Sequence, residues 1–270
     1  MNSPARRFQP AKSPWALTVP ALLALGFLVL PVAAVLWRAP WGSLVGNLTG
    51  GTARQALQLS LFTTLIATLV CVLVGVPLAW LLARTSFRGQ RFVRALVTLP
   101  LVLPPVVGGV ALLMTLGRNG ILGRWLDDAF GITIPFTTTA VVLAQCFVAL
   151  PFLVISVEGA FRGSDARYDD AAATLGATPW TTFRRVTLPL AWPGIAAGAI
   201  LCWARALGEF GATITFAGNF PGTTRTMPIE IYLALQTEPD AALALSVVLI
   251  VVSVAVLTLL RDRWLTGATP

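Results

Sequence analysis

Six stretches of this chain carry no charged side chain: residues 13–37, 55–83, 95–117, 129–157, 186–204 and 241–260. A bilayer span needs about 20 consecutive apolar residues. Each stretch can supply one, which predicts transmembrane helices over 15–37, 57–82, 96–116, 139–157, 193–214 and 241–260. In hydrocarbon the backbone must satisfy its own hydrogen bonds, so segments that are not β-barrel strands have to be helices. Only 11% of the residues are charged, against roughly 25% in a soluble domain. The expected fold is therefore all-α and transmembrane. One domain over 15–261 lies between tails at 1–14 and 262–270, with no internal repeat. The first apolar run is longer than the core of a secretory leader and no small-x-small cleavage site follows it, so it is expected to stay as a span. Trp15 and Trp37 bracket it as interfacial anchors would.

The basic residues choose an orientation. Arg6, Arg7 and Lys12 lie before the first span, and Arg84, Arg88, Arg91 and Arg94 lie between the second and third. Arg162, Arg167, Arg184 and Arg185 lie between the fourth and fifth, and Arg261 and Arg263 follow the sixth. The opposite side has only Arg38, Arg54, Arg118, Arg124 and Arg225. Positive charge is retained on the cytoplasmic side, which puts both termini and the fourth loop there. The net charge of +8 is then a topology signal. Nucleic-acid binding is discounted, because the basic residues are spread over four short segments.

Several chemistries are excluded. There is no histidine, so His-dependent zinc sites and catalytic triads are absent. Lys12 is the only lysine, and it lies outside any Gly-x4-Gly-Lys-Ser/Thr sequence, so no P-loop is present. No nucleotide cofactor is expected on this chain; an ATP-driven process would place ATP and Mg on another one. Cys71, Cys146 and Cys202 each fall within a predicted span and read as small apolar fillers.

The loop over about 158–192 is the most structured polar segment. Ser164 or Asp165 can cap a helix over 166–175. Asp169 and Asp170 lie in its first turns, where the helix dipole favours negative charge. Ala171, Ala172 and Ala173 fill its centre, and Gly176 can end it in a left-handed turn. Thr178-Pro179 restarts a second helix running to about Thr187. Pro189 and Pro193 are expected to interrupt the chain before the fifth span. Two short helices with a small Ala surface suit either packing on the bundle or docking of another protein.

The spacing Asp170-Ala171-Ala172-x3-Gly176-x9-Val186-x-Leu188-Pro189 resembles the loop by which ABC-importer permeases engage their ATPases. In that family the first residue is Glu and Ile stands where Val186 is. The resemblance implies that Asp169, Asp170, Ala171, Ala172, Gly176, Ala177, Val186, Leu188 and Pro189 form an ATPase-docking loop. It also implies the six-helix type I importer fold, working as a homodimer with two cytoplasmic ATPase subunits and a soluble binding protein outside.

Arg205 and Glu209 are the only charges within a predicted span. Their i, i+4 spacing puts them on one face of a helix. Each would cost about 2.5–3.5 kcal/mol alone at the centre of a bilayer. They must face protein, water or each other. A buried ion pair that locks the helix and a polar lining for an anion path are both open. The run Ala204-Arg205-Ala206-Leu207-Gly208-Glu209-Phe210-Gly211-Ala212-Thr213-Ile214-Thr215-Phe216 is similar to the fifth-helix signature of molybdate/tungstate importer permeases, and its core is shared with sulfate/thiosulfate permeases. The resemblance implies Arg205, Glu209, Thr213, Thr215 and Arg225 as path residues and a molybdate-binding protein as partner. The hydroxyls and the Arg of the turn Pro221-Gly222-Thr223-Thr224-Arg225 suit brief contact with an oxyanion; an ordinary Pro-Gly turn with polar filler, or a contact patch for a binding protein, are the other readings.

The third span opens with Leu99-Pro100-Leu101-Val102-Leu103-Pro104-Pro105, whose prolines should break the helix near its cytoplasmic end. The same run resembles that of the molybdate group. A short amphipathic helix is expected between Arg118 and Phe136. Two other classes stay open. A secondary transporter or channel would show repeated halves or more intramembrane charge. A membrane enzyme would need a catalytic cluster, and none is visible.

Overall fold

The computed structural model describes residues 15–165 and 167–265. The predicted tail over 1–14, with Arg6, Arg7 and Lys12, lies outside them, as do Ala166 and residues 266–270. The described residues are helical, with no strand among them. In order they form α1 (Trp15–Arg38), α2 (Leu44–Thr49), α3 (Gly51–Arg84), α4 (Gln90–Val102), α5 (Pro105–Leu116), α6 (Gly123–Phe130) and α7 (Thr138–Gly163). Then come α8 (Arg167–Thr174), α9 (Pro179–Thr182), a π-helical turn (Phe183–Thr187), α10 (Leu188–Leu207), α11 (Gly211–Phe216), α12 (Met227–Thr237) and α13 (Pro239–Leu265).

Five helical segments are long and apolar enough to cross a membrane, and a sixth crossing exists only if a bent pair counts as one. The core is where α3, α7 and α10 meet. Leu82, Leu153, Val157, Phe161, Ile195 and Cys202 are buried there. Cys71 and Cys146 face each other's helices in this core, with Cys71 Sγ 3.8 Å from the Cys146 carbonyl oxygen; all three cysteines are free thiols. The helix α1 buries none of its residues.

The prolines of the third span break it as expected: it is two helices, α4 and α5, set at 119°. Pro100 sits inside α4 without ending it; the break falls at Leu103-Pro104, ahead of Pro105 in the first turn of α5. Two consecutive prolines hold the residues before them extended. At 1.5 Å per residue α5 is about 18 Å long, short of a hydrocarbon core about 30 Å thick. The fifth span begins earlier and ends earlier than 193–214. Pro179–Leu207 is one continuous helical run. Pro189 and Pro193 therefore do not interrupt it. The ring of Pro189 would collide with the Arg185 carbonyl in a regular α-turn; the wider π turn over Phe183–Thr187, closed by Leu188 N–H donating to the Phe183 carbonyl, gives it room.

The far end of this run stops at Gly208, and α11 restarts at Gly211. The elbow of the third span is packed directly on that restart. A Cβ on Gly109 would lie 2.8 Å from Thr215 Cβ and 2.9 Å from the Ala212 carbonyl oxygen. Backbone cannot yield as a side chain can, so Gly109→Val is expected to destabilise the fold by about 1–3 kcal/mol. Thermal unfolding in detergent checks this; an unchanged midpoint would mean that α5 and α11 are not held this closely.

The short amphipathic helix expected between Arg118 and Phe136 is α6, with Arg124 and Asp128 paired across one turn at 3.6 Å. Both α2 and α12 were not foreseen.

Candidate functional site

At one end of the bundle the chain leaves α7 and forms the α8–α9 hairpin. Asp165 Oδ1 accepts the Arg167 N–H at 3.0 Å and starts α8. The turn that ends α8 needs a left-handed residue, and Gly176 has φ +81°. Gly176 N–H donates to the Ala173 carbonyl and Ala177 N–H to the Ala172 carbonyl, both at 3.0 Å, which satisfies carbonyls the helix end leaves free. The Thr178 hydroxyl accepts the Thr181 N–H at 3.3 Å and caps α9, with Pro179 at its first position.

The hairpin sorts the residues singled out from the sequence. Asp170, Ala171, Gly176 and Pro189 are exposed, while Ala172, Ala177, Val186 and Leu188 are half-buried. Asp169 turns inward. Its Oδ2 lies 3.4 Å from Arg84 Nη1, and its Oδ1 accepts from the Thr187 hydroxyl at 2.9 Å. The two adjacent acids therefore do different work: Asp169 anchors the hairpin to α3 and the π turn, and Asp170 faces out. Sequence reasoning missed the apolar residues displayed beside it. Leu175 is 88% exposed, Trp180 69% and Tyr168 57%. Leucine directly before the turn glycine was the signal available.

A second polar cluster lies close by and was also missed. Glu158 Oε1 is 2.8 Å from Arg94 Nη2 and 2.9 Å from Arg162 Nη2. The i, i+4 spacing of Glu158 and Arg162 on α7 was readable; the approach of Arg94 from α4 was not.

Within the bundle, Arg205 Nη2 lies 2.7 Å from Glu209 Oε2. The two are not on one continuous helix, as the spacing suggested. Glu209 sits in the break between α10 and α11, and its Oε1 accepts the Ala212 N–H at 2.8 Å. The carboxylate thus caps the start of α11 and clamps Arg205 at once. Its side chain is 1% exposed, that of Arg205 26%. Arg205 is thus the less enclosed member of the pair. Thr213 is fully buried, and its hydroxyl has no hydrogen-bond partner among the described residues. Thr215 donates to the Gly211 carbonyl at 2.8 Å and is half-buried against α5.

Arg225 belongs to a different feature. Its Nε donates to Asn219 Oδ1 at 2.7 Å and its Nη1 to Glu230 Oε2 at 3.3 Å. It lines a cavity of about 470 Å³ with Asn47, Thr52, Glu230 and Gln236, and none of Arg205, Glu209, Thr213 or Thr215 contributes to that wall. Among the described residues no group of three or more acidic or cysteine side chains is placed to hold a metal.

Residues 75–267 match the model of a family described as binding-protein-dependent transport system inner membrane component. The molybdenum transport system permease protein ModB of Mycobacterium tuberculosis is 52% identical over 247 residues, which is 92% of this chain and 93% of that one. The protein of the same description from Escherichia coli K12 is 44% identical over 71% of this chain and 83% of its own. Among solved structures, a bacterial ABC transporter involved in import of the acidic polysaccharide alginate superposes with a TM-score of 0.75 at 18% identity, covering 94% of this chain and 96% of that one. The methionine ABC transporter MetNI, in an inward-facing conformation, gives 0.62 at 19% identity, with 82% and 97% covered. At such identities these two similarities establish the fold.

Proposed function

We propose that this chain, which belongs to the family of binding-protein-dependent transport system inner membrane components, is the permease of an importer for molybdate. The observation that carries the substrate is the 52% identity to a molybdenum permease along nearly the whole of both chains. In this reading the hairpin end faces the cytoplasm, as the distribution of arginine favours, and both termini lie on that side. Two copies of the chain flank the path. Two cytoplasmic ATPase subunits seat on the paired α8–α9 hairpins and supply ATP and Mg, and a soluble oxyanion-binding protein delivers the cargo outside.

The chemistry of the site agrees with a dianion as cargo. Arg205 offers a permanent positive charge, partly exposed, inside a span where charge is expensive. Glu209 holds that charge in place and offsets part of it, so an anion is attracted without being trapped. Asp170, Ala171 and Gly176 are exposed on the hairpin, with Leu175 and Trp180 beside them. Burying such apolar side chains in a partner is what makes an interface residue count. Movement of the hairpins as the ATPase dimer closes and opens would switch the path between its two faces.

The test is uptake into proteoliposomes holding the chain, its ATPase and its binding protein. Labelled molybdate should enter only with ATP, and tenfold excess sulfate should not compete. Uptake without the ATPase would make this a secondary carrier, and sulfate uptake in place of molybdate would overturn the substrate.

A further inference from the structure

The last helical carbonyls of α3 have no partner within the helix, and the fold uses one of them as a junction. The Leu82 carbonyl oxygen accepts from Gln90 Nε2 at 2.8 Å, from Arg94 Nη2 at 3.2 Å and from Arg162 Nη2 at 3.5 Å. Gln90 and Arg94 belong to α4, and Arg162 belongs to α7. Glu158 joins the two arginines from the other side. Two residues further along α3, Arg84 reaches the opposite way. Its Nη2 donates to both the carbonyl and the hydroxyl of Ser164, where α7 ends, and its Nη1 holds Asp169 in α8. The end of α3 thus ties the hairpin to α4. Past the 119° break α4 becomes α5, which is packed against α11 beside the Arg205–Glu209 break.

We propose that Arg84 is a positioning residue: it couples movement of the α8–α9 hairpin, through the end of α3, to the elbow of the third span. The proposal rests on the reading of the hairpin as the ATPase dock. Arg84 touches neither cargo nor the exposed face of the hairpin; it acts through Asp169 and Ser164. Its planar fork serves both at once, which a lysine cannot do with the same geometry. The Arg84 and Asp169 side chains are only 17% and 29% exposed, so cutting the pair also costs stability, and uptake is read per ATP hydrolysed by the assembled complex to separate force transmission from folding.

The experiment uses the assembled complex in proteoliposomes, with ATP hydrolysis and molybdate uptake measured on the same sample. With Arg84→Gln the ATPase should still co-purify and hydrolysis should stay within about twofold, while uptake per ATP falls about tenfold. Asp169→Asn, which cuts the same link from the other side, should do likewise. Exchanging the pair, Arg84→Asp with Asp169→Arg, should restore only part of the uptake, because the bonds from position 84 to Ser164 are not rebuilt. Unchanged uptake per ATP in both single variants would overturn the proposal. So would loss of the ATPase from them, or a parallel fall of hydrolysis and uptake, because Arg84 would then serve docking or folding. If the ATPase fails to co-purify with the unmodified chain, the docking reading itself fails and takes the coupling with it.

Discussion

Replacing Gly176 with proline is expected to weaken association of the ATPase by about 30-fold or more, the scale of losing one interface hot spot, and to bring ATP-driven uptake to background. The reason is local. Gly176 has φ +81°, whereas proline is fixed near −65°. Proline also lacks the N–H that Gly176 gives to the Ala173 carbonyl. The hairpin could not then close, and Asp170, Leu175 and Trp180 would no longer share a face. A side chain at position 176 meets nothing within 4 Å in this chain, so crowding inside the permease is not the cause. Gly176→Asn, which tolerates the left-handed region, should retain most of the uptake. Membrane insertion should be the same for all three proteins. Pull-down of the ATPase and uptake in the same preparations check this; full activity of the proline variant would mean that the hairpin is not the dock.

The second large effect concerns Glu209. Glu209→Gln keeps an oxygen for the Ala212 N–H but leaves Arg205 without its only ion pair among the described residues. An uncompensated buried charge costs about 3–5 kcal/mol, which corresponds to a fall of about 10 °C in unfolding temperature. Adding Arg205→Met removes the orphaned charge, and the double variant should regain most of that stability. Transport then separates the two roles of the pair. If Arg205 draws the anion into the path, the stable double variant should lose at least about tenfold in uptake rate. If the pair only locks α10 to α11, uptake should follow stability and return.

The six apolar runs were enough to find the membrane crossings, because hydrocarbon imposes a length and a composition that a sequence window measures directly. The break in the third crossing was legible from its prolines, though not that Pro100 would stay inside the helix and leave the break to Leu103-Pro104. Gly208–Phe210 reads as helix until the Glu209 carboxylate is seen to cap the next one. Pro100, Pro189 and Pro193 misled in the other direction: each sits within a helical run, one of them accommodated by a π turn that no local pattern announces. The first helix of the hairpin, its turn and the restart were legible to within a residue or two, since Asp165, Gly176, Thr178 and Pro179 act on their immediate neighbours; the second helix, expected to end near Thr187, runs on to Leu207. The inward turn of Asp169 was not. It depends on Arg84, far away in the chain, and two adjacent aspartates on one short helix look alike until a third element arrives. Arg225 was named with Arg205 as a path residue; in the fold it pairs with Asn219 and Glu230 and lines a separate cavity, partners that no local pattern announced.

The unbroken run from Pro179 to Leu207 gives the molecule a lever arm. Its 29 residues span about 43 Å at helical rise. One end is rooted in the hairpin, and the other stops where Glu209 grips Arg205. A tilt of about 5° at the first end carries the second through about 4 Å, larger than the sub-ångström shifts that packed interfaces amplify. Small rotations at the membrane surface are therefore magnified at a place in the bundle where the helix is already broken. A displacement there would open a joint rather than bend a helix.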